Sequence, residues 1–350
     1  MKTPYTHRLR IIILVVLLAL ILVGCGSQTS NSSNGQTIVN LGYFPNLTHA
    51  VALVGVERGT FQNALGSKVK LETKTFNAGP ALIEALFAVD IDIGYVGPNP
   101  AINGYVKSHG EALRVIAGAA SGGALFIVRP GANIQTPKDL ANKKFATPQL
   151  GGTQDVALRY YLQQNGLKTA DKGGNVQIIP TDNPNILTLF KQGKIDGAWV
   201  PEPWATRLVL EGGGKVLVDE RDLWPDGLFA TTLLVVRTDF LRQHTGVVRR
   251  LIEGQIRSNA FINSQPADAQ RTANAAINEI TGKPLSDQVV ARAWTHMTFT
   301  NDPVAGSLRD AAQHASQVGL LSSADLRGIF DLGLLNQSLS AQGEPRVMGL

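Results

Sequence analysis

The chain contains one cysteine, Cys25. That excludes a disulfide within the chain and any metal cluster built on cysteine. The six histidines (His7, His49, His109, His244, His296 and His314) are scattered, with no pair at metal-ligand spacing. No G-x-S-x-G, H-E-x-x-H or G-x-x-x-x-G-K-[ST] occurs, so the common signatures of serine hydrolases, zinc peptidases and phosphate-loop enzymes are missing. Asp90 and Asp92 stand close together, but nothing pairs them with a base. Excess charge is also lacking. The formal net charge of +5 includes Lys2, Arg8 and Arg10, and without these three it is +2, which is no argument for nucleic acid. The residues therefore point to no enzyme, no metal and no cofactor.

What is present begins with an address. Lys2, Arg8 and Arg10 precede an uninterrupted apolar run over residues 11–23, followed by Gly24 and Cys25. A membrane-spanning helix needs about 20 apolar residues, and this run is too short for one. A basic start, a short apolar core and small residues at its end read as a secretory signal peptide over residues 1–24. Leu22-Val23-Gly24-Cys25 resembles a bacterial lipobox, which makes Cys25 the expected lipidation site. Residues 26–36 (GSQTSNSSNGQ) hold nothing that can bury and read, with Cys25, as a tether. The body that follows exceeds 300 residues, enough for two domains. Its 36 glycines and few aromatics suit an α/β chain with many strand-to-helix turns.

From Thr37 onward, short β-patterned runs alternate with helical ones. Strands are expected over residues 38–44, 69–76, 91–96 and 113–120, then over 125–128, 144–147, 176–180, 197–200, 216–218 and 233–236. Helices are expected at 48–58, 79–88, 98–108, 153–165, 184–191 and 202–211. This alternation implies parallel crossovers and open sheets flanked by helices. After Asp239 the pattern is helical, with Val247, Val248, Leu251, Ile252 and Ile256 at amphipathic spacing. The expected division is a first lobe of residues 37–122, a second lobe of 123–229 inserted into it, and a return of the first lobe over 230–350. An internal echo supports two similar halves: LFAVDIDIGYVGPNP (86–100) against LFKQGKIDGAWVPEP (189–203). Each describes a helix end, a strand and a proline-flanked loop at the strand's carboxyl end, the edge where open α/β sheets bind ligands.

Five stretches carry a resemblance to a known family: LGYFPNLTHA (41–50), FNAGPALIEAL (76–86), DIDIGYVGPNPAING (90–104), LGGTQDVALRYYL (150–162) and GKIDGAWVPEPWATRL (193–208). Together they resemble the solute-binding proteins of ABC importers for sulfonates, nitrate and taurine. The resemblance implies a two-lobed type II periplasmic-binding fold of α/β class with the ligand cleft between the lobes. It implies a monomer in the cell envelope, extracytoplasmic and lipid-anchored to the membrane. The partners it implies are a small anionic ligand, most readily an aliphatic sulfonate or taurine, and an ABC permease with its ATPase. Nitrate, bicarbonate and thiamine-pyrimidine precursors stay open as ligands, and a ligand-sensing domain as an alternative role. Thiamine-pyrimidine synthases share the fold but carry a cysteine-rich motif that this chain lacks.

Helix N-termini offer free N–H groups and the positive end of the helix dipole to an anion. Four helix starts face the expected cleft: Thr48-His49, Gly79-Pro80, Pro98-Asn99 and Gly152-Thr153. Thr48 and Thr153 are either ligand donors or plain helix caps, and Gly79 and Gly152 allow close backbone approach. Asn46, Asn77 and His49 are candidate donors, Trp204 a candidate wall for an organic tail, and Gly123 a donor or a hinge. Glu202 beside an anion requires a positive partner, either an amino group on the ligand or a base such as Arg207. Tyr95, Phe126 and Trp199 are expected in the core.

Overall fold

A computed structural model describes residues 36–350. The expected signal peptide, Cys25 and most of the expected tether lie outside the described residues. The strands are β1 (Thr37–Tyr43), β2 (Val69–Thr75), β3 (Ile93–Val96), β4 (Leu113–Gly122), β5 (Ala124–Val128), β6 (Lys144–Thr147), β7 (Gln177–Pro180), β8 (Gly197–Pro201), β9 (Lys215–Asp219), β10 (Ala230–Arg237) and β11 (Met297–Phe299). They form two sheets, one in the order β11-β4-β10-β3-β1-β2 and the other β7-β6-β8-β5-β9.

The sheets repeat one plan. In the first, β1 runs parallel to β2 and to β3, and β10 is antiparallel to β3 and β4. In the second, β6 runs parallel to β7 and β8, and β5 is antiparallel to β8 and β9. Each sheet is therefore mixed. The sequence pattern shows why the strands sit where they do. IGYV of β3, ALFIV of β5 and GAWVP of β8 are buried along their whole length, as central strands must be. VKLETKT of β2 carries charges and is largely exposed, which protects an edge from further pairing.

The echo noticed in the sequence is the seam of each sheet. Asp92 accepts from the backbone N–H of Asn40 at 2.9 Å and pairs with Arg237 at 3.3 Å. Asp196 accepts from the N–H of Lys144 at 2.9 Å and pairs with Arg129 at 3.5 Å. The backbone bonds match as well: Arg237 N–H donates to the Asp92 carbonyl at 2.9 Å, and Arg129 N–H to the Asp196 carbonyl at 2.8 Å. One aspartate thus ties the start of a central strand to its parallel neighbour and to the end of its antiparallel one. It sits at the amino ends of the strands, opposite the edge where open α/β sheets bind ligands.

The chain leaves the first sheet through Gly122 and Gly123, with φ of 76° and 75°, a conformation that glycine adopts without strain. The return lies alongside: Gly122 N–H donates to the Phe229 carbonyl at 3.3 Å, and the Thr231 hydroxyl donates to the Gly122 carbonyl. By contacts, residues 37–350 are one compact unit. The segment after Thr238 is helical, with Thr245–Ser264 burying Val247, Val248, Leu251, Ile252 and Ile256 against the first sheet. Besides short 3-10 turns, one helix before Thr238 and one strand in the C-terminal segment escaped the sequence reading. Strand β11 has only three residues, too few to show a period, and the helix Thr60–Leu65 is a single short stretch after Gly59. Among the described residues no helix is long and apolar enough to cross a membrane.

The carboxylate of Asp92 is better buried than that of Asp196, with side-chain exposures of 8% and 21%. Replacing Asp92 by Ala should cost about 2 kcal/mol of stability, and Asp196→Ala about half that. Urea unfolding of the two variants checks the order.

Candidate functional site

At the carboxyl edges of both sheets lies a small cavity. The first sheet contributes Phe44, Asn46, Thr48 and His49 after β1, Asn77, Ala78 and Gly79 after β2, and Gly97 and Pro100 after β3. Thr231 of β10 joins them. The second sheet supplies Pro148, Gln149, Gly152, Thr153 and Gln154 after β6, Asn183 after β7 and Pro201 of β8. The helices Gly79–Phe87, Pro98–Lys107, Thr153–Gln164 and Asn183–Lys191 all begin here. Free N–H groups of helix starts from two separate sheets therefore share one space. The volume open to the centre of a water molecule is about 30 Å³. That accommodates a small polar headgroup and excludes a bulky one.

Among the described residues, no lysine, arginine, aspartate or glutamate lines this cavity. Its chemistry is that of neutral donors. His49 is 3% exposed and packs on Phe44 at 4.2 Å between ring centroids. Its Nδ1 accepts from the backbone N–H of Phe44 at 3.4 Å, which leaves the Nε2–H as the donor of a neutral ring. Burial lowers its pKa to about 3, so it stays uncharged at any physiological pH. Asn46 is 5% exposed, and its Oδ1 accepts from the Trp204 indole N–H at 2.8 Å, which leaves the amide NH₂ for other partners.

Several buried polar atoms here have no partner among the described residues: Thr153 Oγ1, Gln149 Oε1 and Asn183 Oδ1. The helix that begins at Thr153 takes Gly152 as its N-cap, with no side-chain cap bond. Capping therefore does not account for Thr153. Glycine allows its approach, because a Cβ on Gly97 would stand 2.4 Å from Thr153 Oγ1. Thr48 likewise makes no cap bond.

Of the residues nominated from sequence, Asn46, Thr48, His49, Asn77, Gly79, Gly152 and Thr153 line the cavity, and the others lie elsewhere. Pro80 is in the first turn of its helix, outside the lining. The missing side chain of Gly79 makes room for Pro100, whose Cγ would lie 2.3 Å from a Cβ there. Asn99 turns away and donates to the Ala311 carbonyl at 3.2 Å. Pro98 and Asn99 border a separate pocket behind Thr153, with Glu220, Trp224 and His314. Gly123 approaches Met297 and Thr48 but stays outside the lining.

Glu202 requires the largest correction. It is fully buried and takes two bonds from Thr206, backbone N–H at 3.0 Å and hydroxyl at 2.9 Å. Its close partner is the His296 ring, Nδ1 to Oε1 2.5 Å, and not Arg207, which pairs with Glu211 at 2.7 Å. Trp204 stands in a neighbouring chamber. Phe44, Gly97, Pro100, Pro148, Gln149, Gln154, Asn183, Pro201 and Thr231 were not foreseen. Asn183 had a signal: its helix precedes β8 as the helix Gly79–Phe87 precedes β3, so the internal echo extended backwards reaches it. Tyr95, Phe126 and Trp199 are core residues with no exposure.

A family model described as the NMT1-like family matches residues 32–277, most of the chain, and the chain belongs to that family. It is similar to the taurine-binding periplasmic protein of Escherichia coli strain K12, 29% identical over 206 residues. That match covers 59% of this chain and 61% of the relative, so the chain spans about three-fifths of that curated relative's length. Among solved structures it resembles the alkanesulfonate-binding protein SsuA of Xanthomonas axonopodis pv. citri bound to MOPS. The TM-score is 0.69 at 20% identity, with 83% of this chain and 96% of the other covered. It also resembles the periplasmic nitrate-binding protein NrtA of Synechocystis PCC 6803, with a TM-score of 0.70 at 14% identity, over 88% of this chain and 90% of that one. The architecture is the periplasmic-binding-protein fold.

Thr153→Val removes a buried hydroxyl that has no partner in the protein and keeps its shape. The unliganded variant should be as stable as the parent or up to about 1 kcal/mol more so. Ligand affinity should fall at least about tenfold, the loss of one good hydrogen bond to a charged group. Thermal unfolding with and without ligand separates the two effects.

Proposed function

We propose that the chain is the extracytoplasmic solute-binding component of an ABC importer, and that its ligand is an organic anion of the aliphatic sulfonate class. The observation that carries this reading is the cavity itself: helix starts of both sheets and the neutral donors Asn46, His49 and Thr153 around a space without a single charged side chain. An oxyanion is suited to such a donor set, because its several acceptor oxygens use every N–H and O–H offered. The relatives' names agree with that chemistry. Taurine is less well served than a plain sulfonate. Its ammonium would find no carboxylate in the cavity, since Glu202 is engaged by Thr206 and His296.

In this reading residues 37–122 with 230–350 form one lobe and 123–229 the other, joined at the paired crossovers beside Gly122 and Gly123. Ligand contacts from both lobes favour the closed form, which the permease and its ATPase recognise. Cys25 carries the lipid that holds the protein at the membrane, and mass spectrometry of the mature N-terminus checks that assignment.

Thermal-shift measurements test the ligand class. At a thousandfold excess over Kd a ligand adds about 4 kcal/mol of stability. Ethanesulfonate should raise Tm clearly, taurine less, and nitrate and bicarbonate least. A shift with nitrate alone would replace the sulfonate reading by the inorganic-anion one. The absence of any shift across the panel would remove the importer reading.

A further inference from the structure

The small cavity borders a much larger one, with which it shares three lining residues. Asn46, Asn77 and Asn183 each line both the inner space and an outer chamber of about 700 Å³. The chamber lies between the helices Asn183–Lys191 and Trp204–Leu210 on one side and the stretch from Ile277 to Ser286 on the other. Trp204 forms a fixed wall: its indole N–H is held by Asn46 Oδ1 at 2.8 Å, and the Arg207 guanidinium covers the ring 4.6 Å from its centroid. Arg207 is itself occupied by Glu211, at 2.7 and 3.2 Å. Those two charges cancel. Two cations remain on the chamber, Lys191 and Lys283. Both lie within electrostatic reach of Glu211, whose carboxyl is held below its ordinary range chiefly by the Arg207 hydrogen bond. Neither ammonium has a hydrogen-bond or ion-pair partner among the described residues.

The distribution of charge along the ligand's path is therefore unequal. The inner cavity has neutral donors only, and the uncompensated positive charge stands on the outer chamber, which Trp204 also lines. We propose that the ligand is an elongated anion with two acidic ends: a head in the inner cavity, an apolar stretch along Trp204, and a second acidic group met by Lys191 and Lys283. This rests on the reading of the inner cavity as the seat of an acidic head. Inorganic anions and short aminosulfonates would leave the chamber and its lysines unused. If the lysines only steered anions inward, they would act on every anion alike.

Calorimetry at low salt decides, with methanesulfonate, pentanesulfonate and the pentane chain carrying a sulfonate at one end and a carboxylate at the other. The doubly acidic ligand should bind roughly tenfold tighter than pentanesulfonate, the sum expected of two exposed charge pairs. In Lys191→Ala/Lys283→Ala that advantage should vanish, while the Tm without ligand is kept. Equal affinity of the two long ligands, or the same loss for both in the double variant, overturns the inference. Binding of methanesulfonate in that case leaves the acidic-head reading standing, and failure of every sulfonate to bind removes both.

Discussion

An anion buried without a counter-ion must be satisfied by donors, and the donors must belong to groups that have no better partner. Helix starts meet that requirement by construction, since their first N–H groups cannot bond within the helix. Here the helices after β1, β2 and β3 and those after β6 and β7 all begin at one space. His49 is kept neutral by burial, so it adds a donor without adding a charge. Thr153 adds a hydroxyl that the protein leaves unused. Much of the architecture serves to bring these groups together from two sheets.

That convergence depends on the repeated sheet plan. Asp92 and Asp196 set the register at the amino ends of the strands, each with an arginine from the antiparallel neighbour. The carboxyl ends are thereby held at matching heights. The buried polar residues of the two proline-flanked loops have a related task. Asn99 binds the Ala311 carbonyl and Glu202 binds His296, so both fasten the C-terminal segment to the strands that carry the site. Gly122, with its left-handed backbone, sits where the chain crosses from one sheet to the other, and a Cβ there would meet the His296 carbonyl at 2.5 Å.

Much of this was legible in the sequence, because strand and helix periods are local properties. The strands over 144–147 and the amphipathic face from Val247 to Ile256 needed nothing beyond neighbouring residues. Five of the nominated residues that line the cavity, Thr48, His49, Gly79, Gly152 and Thr153, came from asking which helix starts follow strand ends. The errors share one cause. Asn99 and Glu202 looked like ligand contacts because their partners are far away in sequence: Ala311 and His296. A polar residue in a cleft-edge loop reads the same whether it faces a ligand or a distant segment of its own chain. Gln149 was passed over for a different reason, since it stands in no motif.

In the proposed function an anion is held here by neutral donors, His49 among them. Titration calorimetry of a sulfonate at pH 6.5, in buffers of differing ionisation enthalpy, measures the protons taken up on binding. A ring already neutral through burial and bonded at Nδ1 predicts no proton uptake and an affinity flat from about pH 5 to 8. Uptake approaching one proton per ligand, lost in His49→Gln, would show that the site works through a histidinium cation and would contradict the account.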